Sequence, residues 1–144
     1  MSKLFKRAKV QYKIACDCYI HFADDDAYID ACCYSLQQAI ELCLKFTVEI
    51  HGESYAENHD LRANLKKLDK MGIAVPMSKE IRNMASTLYS WETESRYNDD
   101  FVALIEDIDM AKEITAELIS YCNSLYSQIN YEPRLEYPTG RLAD

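Results

Sequence analysis

An all-α fold is predicted for this 144-residue chain: an antiparallel bundle of four long helices and one short one. Apolar residues recur at three- and four-residue steps over long stretches. Glycine and proline number only three each, and Pro133 and Pro138 fall near the C-terminus, so most of the chain lacks helix-breakers. Around Ser35–Lys45 the apolar positions cover more than half of a helical circumference, which only a helix at the centre of a bundle needs.

The first helix is expected over about Ser2 to Phe22, with Phe5, Ala8, Tyr12, Ala15, Tyr19 and Phe22 on one seam. Asp24, Asp25 and Asp26 break it and offer an N-cap and first-turn acids to the second helix. Capping explains this triplet better than a metal site, because no other ligand cluster is placed to help. The second helix carries two adjacent seams. Leu36, Ala39, Cys43, Phe46 and Ile50 form one, which Cys32 extends; Ile29, Cys33, Leu36, Ile40, Leu44 and Thr47 form the other. Gln37, Glu41 and Lys45 share the remaining polar stripe. Glu41 and Lys45 stand in the favourable order for an i,i+4 ion pair, worth roughly 0.2–0.5 kcal/mol. The helix is expected to stop near His51-Gly52.

A short third helix runs from about Asn58, its expected cap, to Met71, with Leu61, Leu65 and Leu68 inward and Gly72 as its stop. After Pro76, Ser78 is the expected cap of a fourth helix that turns Ile81, Met84, Ala85, Leu88 and Trp91 inward and ends near Glu94. Arg96-Tyr97-Asn98-Asp99-Asp100 reads as a loop. The fifth helix starts between Phe101 and Ile105 and continues to about Ile129, on a seam of Leu104, Ile108, Ala111, Thr115, Leu118, Cys122, Leu125 and Ile129. Residues 1–130 form one helical domain in this reading, and 131–144 form an extended or disordered tail.

The formal net charge of −8 argues against a broad nucleic-acid surface. The charge is uneven, however. Lys3, Lys6, Arg7, Lys9 and Lys13 precede every acid, and Asp17–Asp60 holds ten acids and one base, Lys45. Arg62, Lys66, Lys67 and Lys70 make a second basic cluster. Each cluster is read first as a solvated helix face and second as a local anion-binding patch. No apolar run approaches the roughly 18 residues that span a bilayer. The N-terminus lacks a signal peptide's apolar segment, so a cytoplasmic protein without membrane contact is expected.

Cys16, Cys18, Cys32, Cys33, Cys43 and Cys122 lack CxxC spacing and fall inside predicted helices, as reduced core residues do. Neither a metal nor a cofactor is expected. There is no phosphate-cradling glycine loop, no zinc-protease motif and no serine nucleophile between glycines. His21 and His51 end helices, where an imidazolium suits the dipole, and His59 opens one.

The order of short polar motifs is more specific than any one of them. Gln37-Gln38-Ala39-x-Glu41-x-x-Leu44-Lys45 lies on the second helix, His59-Asp60-Leu61 opens the third, Ser95-Arg96-Tyr97 follows the fourth, and Ala111 lies on the fifth. From about Tyr12 to Leu125 this arrangement resembles the HEPN family, small all-helical domains of higher eukaryotes and prokaryotes linked to nucleotide binding. The resemblance implies a bundle that often forms homodimers. It also implies pairing with a small nucleotidyltransferase, in some cases as a toxin–antitoxin system. Other branches of the family are metal-independent ribonucleases that carry an arginine followed four to six residues later by a histidine. There the histidine moves a proton and the arginine stabilises phosphate charge. Arg96 has Asp100, Phe101 and Val102 at those steps, and Arg7, Arg62, Arg82, Arg134 and Arg141 also lack such a histidine.

The family-matching polar positions are therefore Gln37, Glu41, Lys45, His59, Arg96 and Tyr97, with no catalytic residue assigned. They are read as a face binding a nucleotide or a nucleotidyltransferase, or else as a buried network that sets helix register. Tyr89, Trp91 and Tyr97 are candidates for base stacking, for the core or for a dimer interface. The leading expectation is a homodimeric, non-catalytic module. The alternatives are a divergent ribonuclease acting on RNA through Arg96, Asp100 and His59, and a purely structural interaction protein.

Overall fold

The computed structural model describes the backbone of residues 2–135 and the side chains of residues 2–129. Five helices follow in order: α1 (Leu4–Tyr19), α2 (Ala27–Ile50), α3 (Leu61–Lys70), α4 (Ser78–Glu94) and α5 (Ile105–Leu135). No strand occurs among the described residues. The predicted helical bundle is the observed architecture.

α2 is the axis on which the rest assembles. It packs against each of the other four helices, most extensively against α1. From Cys32 to Ile50 no residue of α2 is fully exposed. Both of its predicted seams are buried, except that Ile29 and Ile50 at the ends stay partly accessible. Phe5 of α1 stacks on Phe46 of α2 with ring centroids 5.2 Å apart, and Tyr126 of α5 packs on both rings. Ser2 Oγ donates to the Glu49 carboxylate, so the start of α1 lies beside the end of α2 and the pair is antiparallel.

The helix ends differ from expectation in instructive ways. α1 stops at Tyr19, and residues 20–24 form turns that bring His21 Nδ1 to within 2.8 Å of Asp24 Oδ2. Of the aspartate triplet, Asp25 does the capping: its Oδ1 accepts from the Ala27 N–H at 2.8 Å, whereas Asp26 makes no side-chain cap. The cap of α3 is Asp60 rather than Asn58, which instead accepts from the Asp60 N–H. Ser78 is the first residue of α4 and not its cap; the turn is made by Met77 at φ 64°, left-handed backbone that a side chain adopts only under local constraint. Leu104 is exposed, because α5 begins one residue later, and Ile114 takes a core position that the seam omitted. α5 continues to Leu135, past the expected end at Ile129. The remainder of the expected tail, 136–144, lies outside the described residues.

Asp60 carries a prediction. Its Oδ1 accepts from the Arg62 N–H at 3.0 Å, and its two oxygens receive the Arg62 guanidinium at 2.9 and 2.7 Å. The Arg62 guanidinium holds the Asp60 carboxyl below the usual carboxylate range, the Arg62 backbone N–H adds to this, and slight burial opposes it. A depressed acid pKa stabilises the fold above the unfolded-state value near 4 and loses that contribution as pH falls through the folded value. Asp60→Ala should therefore cost about 1 kcal/mol at neutral pH and progressively less below about pH 4, as urea titrations at both pH values would measure. An equal cost at both would contradict the assignment.

Candidate functional site

The α2 stripe lies inside the molecule rather than on a solvated face. Gln37 and Glu41 are buried and Lys45 nearly so. This happens because the stripe faces α4 and the segment leading into α3, which supply polar partners. Glu41 is the hub. Its Oε1 accepts from Gln37 Nε2 at 3.0 Å and lies 2.9 Å from His59 Nδ1, while its Oε2 lies 3.0 Å from Lys45 Nζ. An ionised carboxylate can only accept, so this contact makes Nδ1 the protonated nitrogen of His59. The predicted Glu41–Lys45 pair thus forms, in a far more buried setting than an open helix surface. Lys45 Nζ also sits 5.3 Å from the centre of the Tyr55 ring.

A second buried carboxylate, Glu92 of α4, completes the cluster. Gln38 Nε2 donates to Glu92 Oε2 at 2.7 Å and to Gln37 Oε1 at 2.8 Å, which joins the two carboxylates through a pair of neighbouring amides. Glu92 Oε1 lies 3.4 Å from a terminal guanidinium nitrogen of Arg96 and 3.8 Å from His59 Nε2. Arg96 is further held by two aromatic rings: its guanidinium carbon is 4.2 Å from the centre of Tyr34 and 4.9 Å from that of Tyr97. Burial, ahead of the opposing Arg96 charge, raises the Tyr34 hydroxyl above its ordinary value, so it remains neutral.

All six predicted positions, Gln37, Glu41, Lys45, His59, Arg96 and Tyr97, therefore belong to one contiguous cluster. His59 stands just before α3 but does not cap it, a role that Asp60 fills. The ring is 54% exposed, yet one nitrogen reaches a buried carboxylate. Sequence reasoning missed Glu92 and Tyr34. Glu92 stands four residues before Arg96, a spacing that could have marked it as a partner. Tyr34 stands three before Gln37, with no comparable signal. Of the other aromatic candidates, Trp91 is a core residue and Tyr89 is exposed on α4.

The cluster is layered by polarity. Side-chain exposure is 4% for Glu41 and 9% for Glu92, against 40% for Arg96. Acids lie inside, and cationic and aromatic edges lie at the rim. The interior is filled, with neighbours at hydrogen-bond distance, so a ligand would rest against the rim. No buried side-chain polar atom among the described residues lacks a partner.

Among the described residues no group of three potential ligands is placed to hold a metal ion. All six cysteines are free thiols, four of them buried. Burial, and next the neighbouring Cys18, push the Cys32 thiol up to about 12, and burial likewise raises Cys33, so neither is a nucleophile near neutral pH. No helix of the described residues is long and apolar enough to cross a membrane.

A model of the HEPN domain family matches residues 1–129. The chain belongs to the HEPN domain family. No curated protein and no solved structure matches it significantly. In this HEPN chain the six polar positions converge on one cluster, built by α2, the end of α4 with the residues that follow it, and the segment that leads into α3.

Proposed function

We propose that this HEPN domain is a non-catalytic module that binds a nucleotide on the rim formed by His59, Arg96 and Tyr97. The observation that carries this reading is the layering. Two buried carboxylates, one buried amide and one half-buried amide fix the orientation of an exposed guanidinium and imidazole beside Tyr97, which is 75% exposed. Arg96 offers donors to a phosphate. The Tyr97 face offers a stacking surface to a base, worth roughly 1–3 kcal/mol. Glu41, Gln37, Gln38 and Glu92 act from beneath by orienting the rim. Homodimerisation, the nucleotidyltransferase partner and a role in a toxin–antitoxin or defence-type pair are further parts of the proposal that rest on the family alone.

A specific observation favours a second reading, in which the chain cleaves RNA. His59 and Arg96 approach the same oxygen of Glu92, so the histidine missing downstream of Arg96 arrives from the segment before α3. Asp100, the third residue of that expectation, makes only a loop contact, its N–H donating to Asn98. Nδ1 of His59 is held by Glu41 at 2.9 Å and Nε2 lies 3.8 Å from Glu92 Oε1, so buried acids orient the ring, which is why the non-catalytic reading leads.

A thermal-shift series with ribonucleoside mono- and triphosphates tests binding, since a ligand specific to the folded state raises apparent stability. Wild type should shift upward with at least one nucleotide, and Tyr97→Ala should reduce that shift severalfold without lowering the ligand-free melting temperature by more than about 2 °C, as expected for an exposed side chain. Incubation with single-stranded RNA should leave the RNA intact. Cleavage that disappears in both Arg96→Ala and His59→Ala would replace the leading reading with the second.

A further inference from the structure

Two exposed patches on this chain carry opposite charge, and each has exposed apolar residues beside its charges. At the start of α2, Asp26, Ile29 and Asp30 join Asp99, Phe101, Val102 and Ala103 of the loop before α5 to line a groove of about 240 Å³. Asp26, Asp30 and Asp99 have no cationic partner among the described residues. Burial, followed by the nearby charge of Asp26, raises the Asp30 carboxyl, as expected of acids packed without a counter-charge. The apolar rim is uncovered as well: Val102 is 81% exposed, and Leu104 also faces solvent.

The other patch is the outer face of α1. Lys3, Lys6, Arg7, Val10 and Gln11 line a shallow concavity there. Lys13 and Ile14 continue the same stripe at helical spacing, on the side away from Phe5, Ala8 and Ala15. Val10 is 57% exposed and Ile14 is partly so. Lys3, Lys6, Arg7 and Lys13 have no carboxylate partner among the described residues. The chain cannot bring the two patches together by itself. α1 and α2 form a packed antiparallel pair, and the groove lies at the start of α2, whereas Ser2, at the start of the basic stripe, bonds to Glu49 near its end. The 24 residues of α2 separate these ends by roughly 36 Å.

We propose that the acidic, apolar-rimmed groove docks the basic outer face of α1 from a second copy of this chain. Val10 and Ile14 meet the apolar rim, and Lys6 and Arg7 neutralise Asp26, Asp30 and Asp99. The contact is polar at its edges, so it weakens with ionic strength. This names a surface for the self-association proposed above and is independent of nucleotide binding.

Charge reversal tests it. Light scattering at low salt should find an assembly larger than the monomer for wild type. Lys3→Glu/Lys6→Glu/Arg7→Glu, which makes both patches acidic, should be monomeric, and so should Asp26→Lys/Asp99→Lys, which makes both basic. Mixing the two variants should restore the assembly, because every cross-contact then joins opposite charges. That recovery also excludes misfolding as the cause of the monomers. Wild type that assembles but is indifferent to both reversals overturns this contact and leaves homodimerisation standing. Wild type that stays monomeric at every salt concentration overturns both.

Discussion

Glu41→Ala should lower stability by roughly 3–5 kcal/mol, among the largest losses expected for any single substitution here. The carboxylate is almost wholly buried and serves three donors: Gln37 Nε2, Lys45 Nζ and His59 Nδ1. Its removal leaves the Lys45 ammonium, itself only 13% exposed, without a counter-charge. An unpaired buried cation costs far more than the few tenths of a kcal/mol that an exposed i,i+4 pair contributes. At this chain length the loss corresponds to a melting temperature lower by roughly 10 °C or more. Glu41→Leu combined with Lys45→Met should recover part of it, because the lone charge is gone and the methylenes still pack. Equal destabilisation in the single and double variants would show that Lys45 is not the principal partner.

Phe46→Ala should cost a similar roughly 3–5 kcal/mol through a different physical route. Phe46 is fully buried in the middle of α2, stacked on Phe5 and packed against Tyr126 at a centroid distance of 6.3 Å. Truncation opens a cavity where α1, α2 and α5 meet, and the aromatic contacts of both neighbours go with it. Phe46→Leu should cost much less, since it keeps the position apolar and nearly filled. Urea unfolding of the three proteins separates these outcomes. A small effect of Phe46→Ala would mean that the α1–α5 seam collapses around the gap.

The fold was legible because it depends on period and on scarcity of helix-breakers, both of which are local. Cys32, Leu36, Ala39, Cys43 and Phe46 repeat at helical steps, and each is buried where that repeat places it. What could not be read were the choices made by tertiary contact. Nothing local distinguishes Asp25 from Asp26 as the cap of α2, or Asn58 from Asp60 as the cap of α3, because all four residues have a side-chain oxygen at a suitable distance in sequence. Leu104 fits the apolar repeat of α5 but falls before the helix begins.

The site was partly legible for a related reason. Glu41 and Lys45 announce each other through their spacing, and the structure pairs them. Gln37, His59 and Arg96 were singled out by resemblance, and only the tertiary fold shows that they meet. Glu92 is the instructive omission. A glutamate near the end of a helix looks like ordinary solvated surface until Gln38, 54 positions earlier in the chain, is found donating to it. A carboxylate this buried, together with Glu41, explains why the polar stripe on α2 faces inward. The two acids and two amides satisfy one another, and the outward edge is left to Arg96, His59 and Tyr97.

Isothermal titration calorimetry tests most directly whether the exposed cationic and aromatic rim, held on its buried acidic base, binds a nucleotide. Ribonucleoside mono- and triphosphates are titrated into wild type, Arg96→Ala and Tyr97→Ala, each first shown to be folded by circular dichroism. Wild type should bind at least one nucleotide saturably, with affinity reduced about tenfold or more in each variant. Absence of binding across the series in wild type, or binding that both variants retain undiminished, would contradict it.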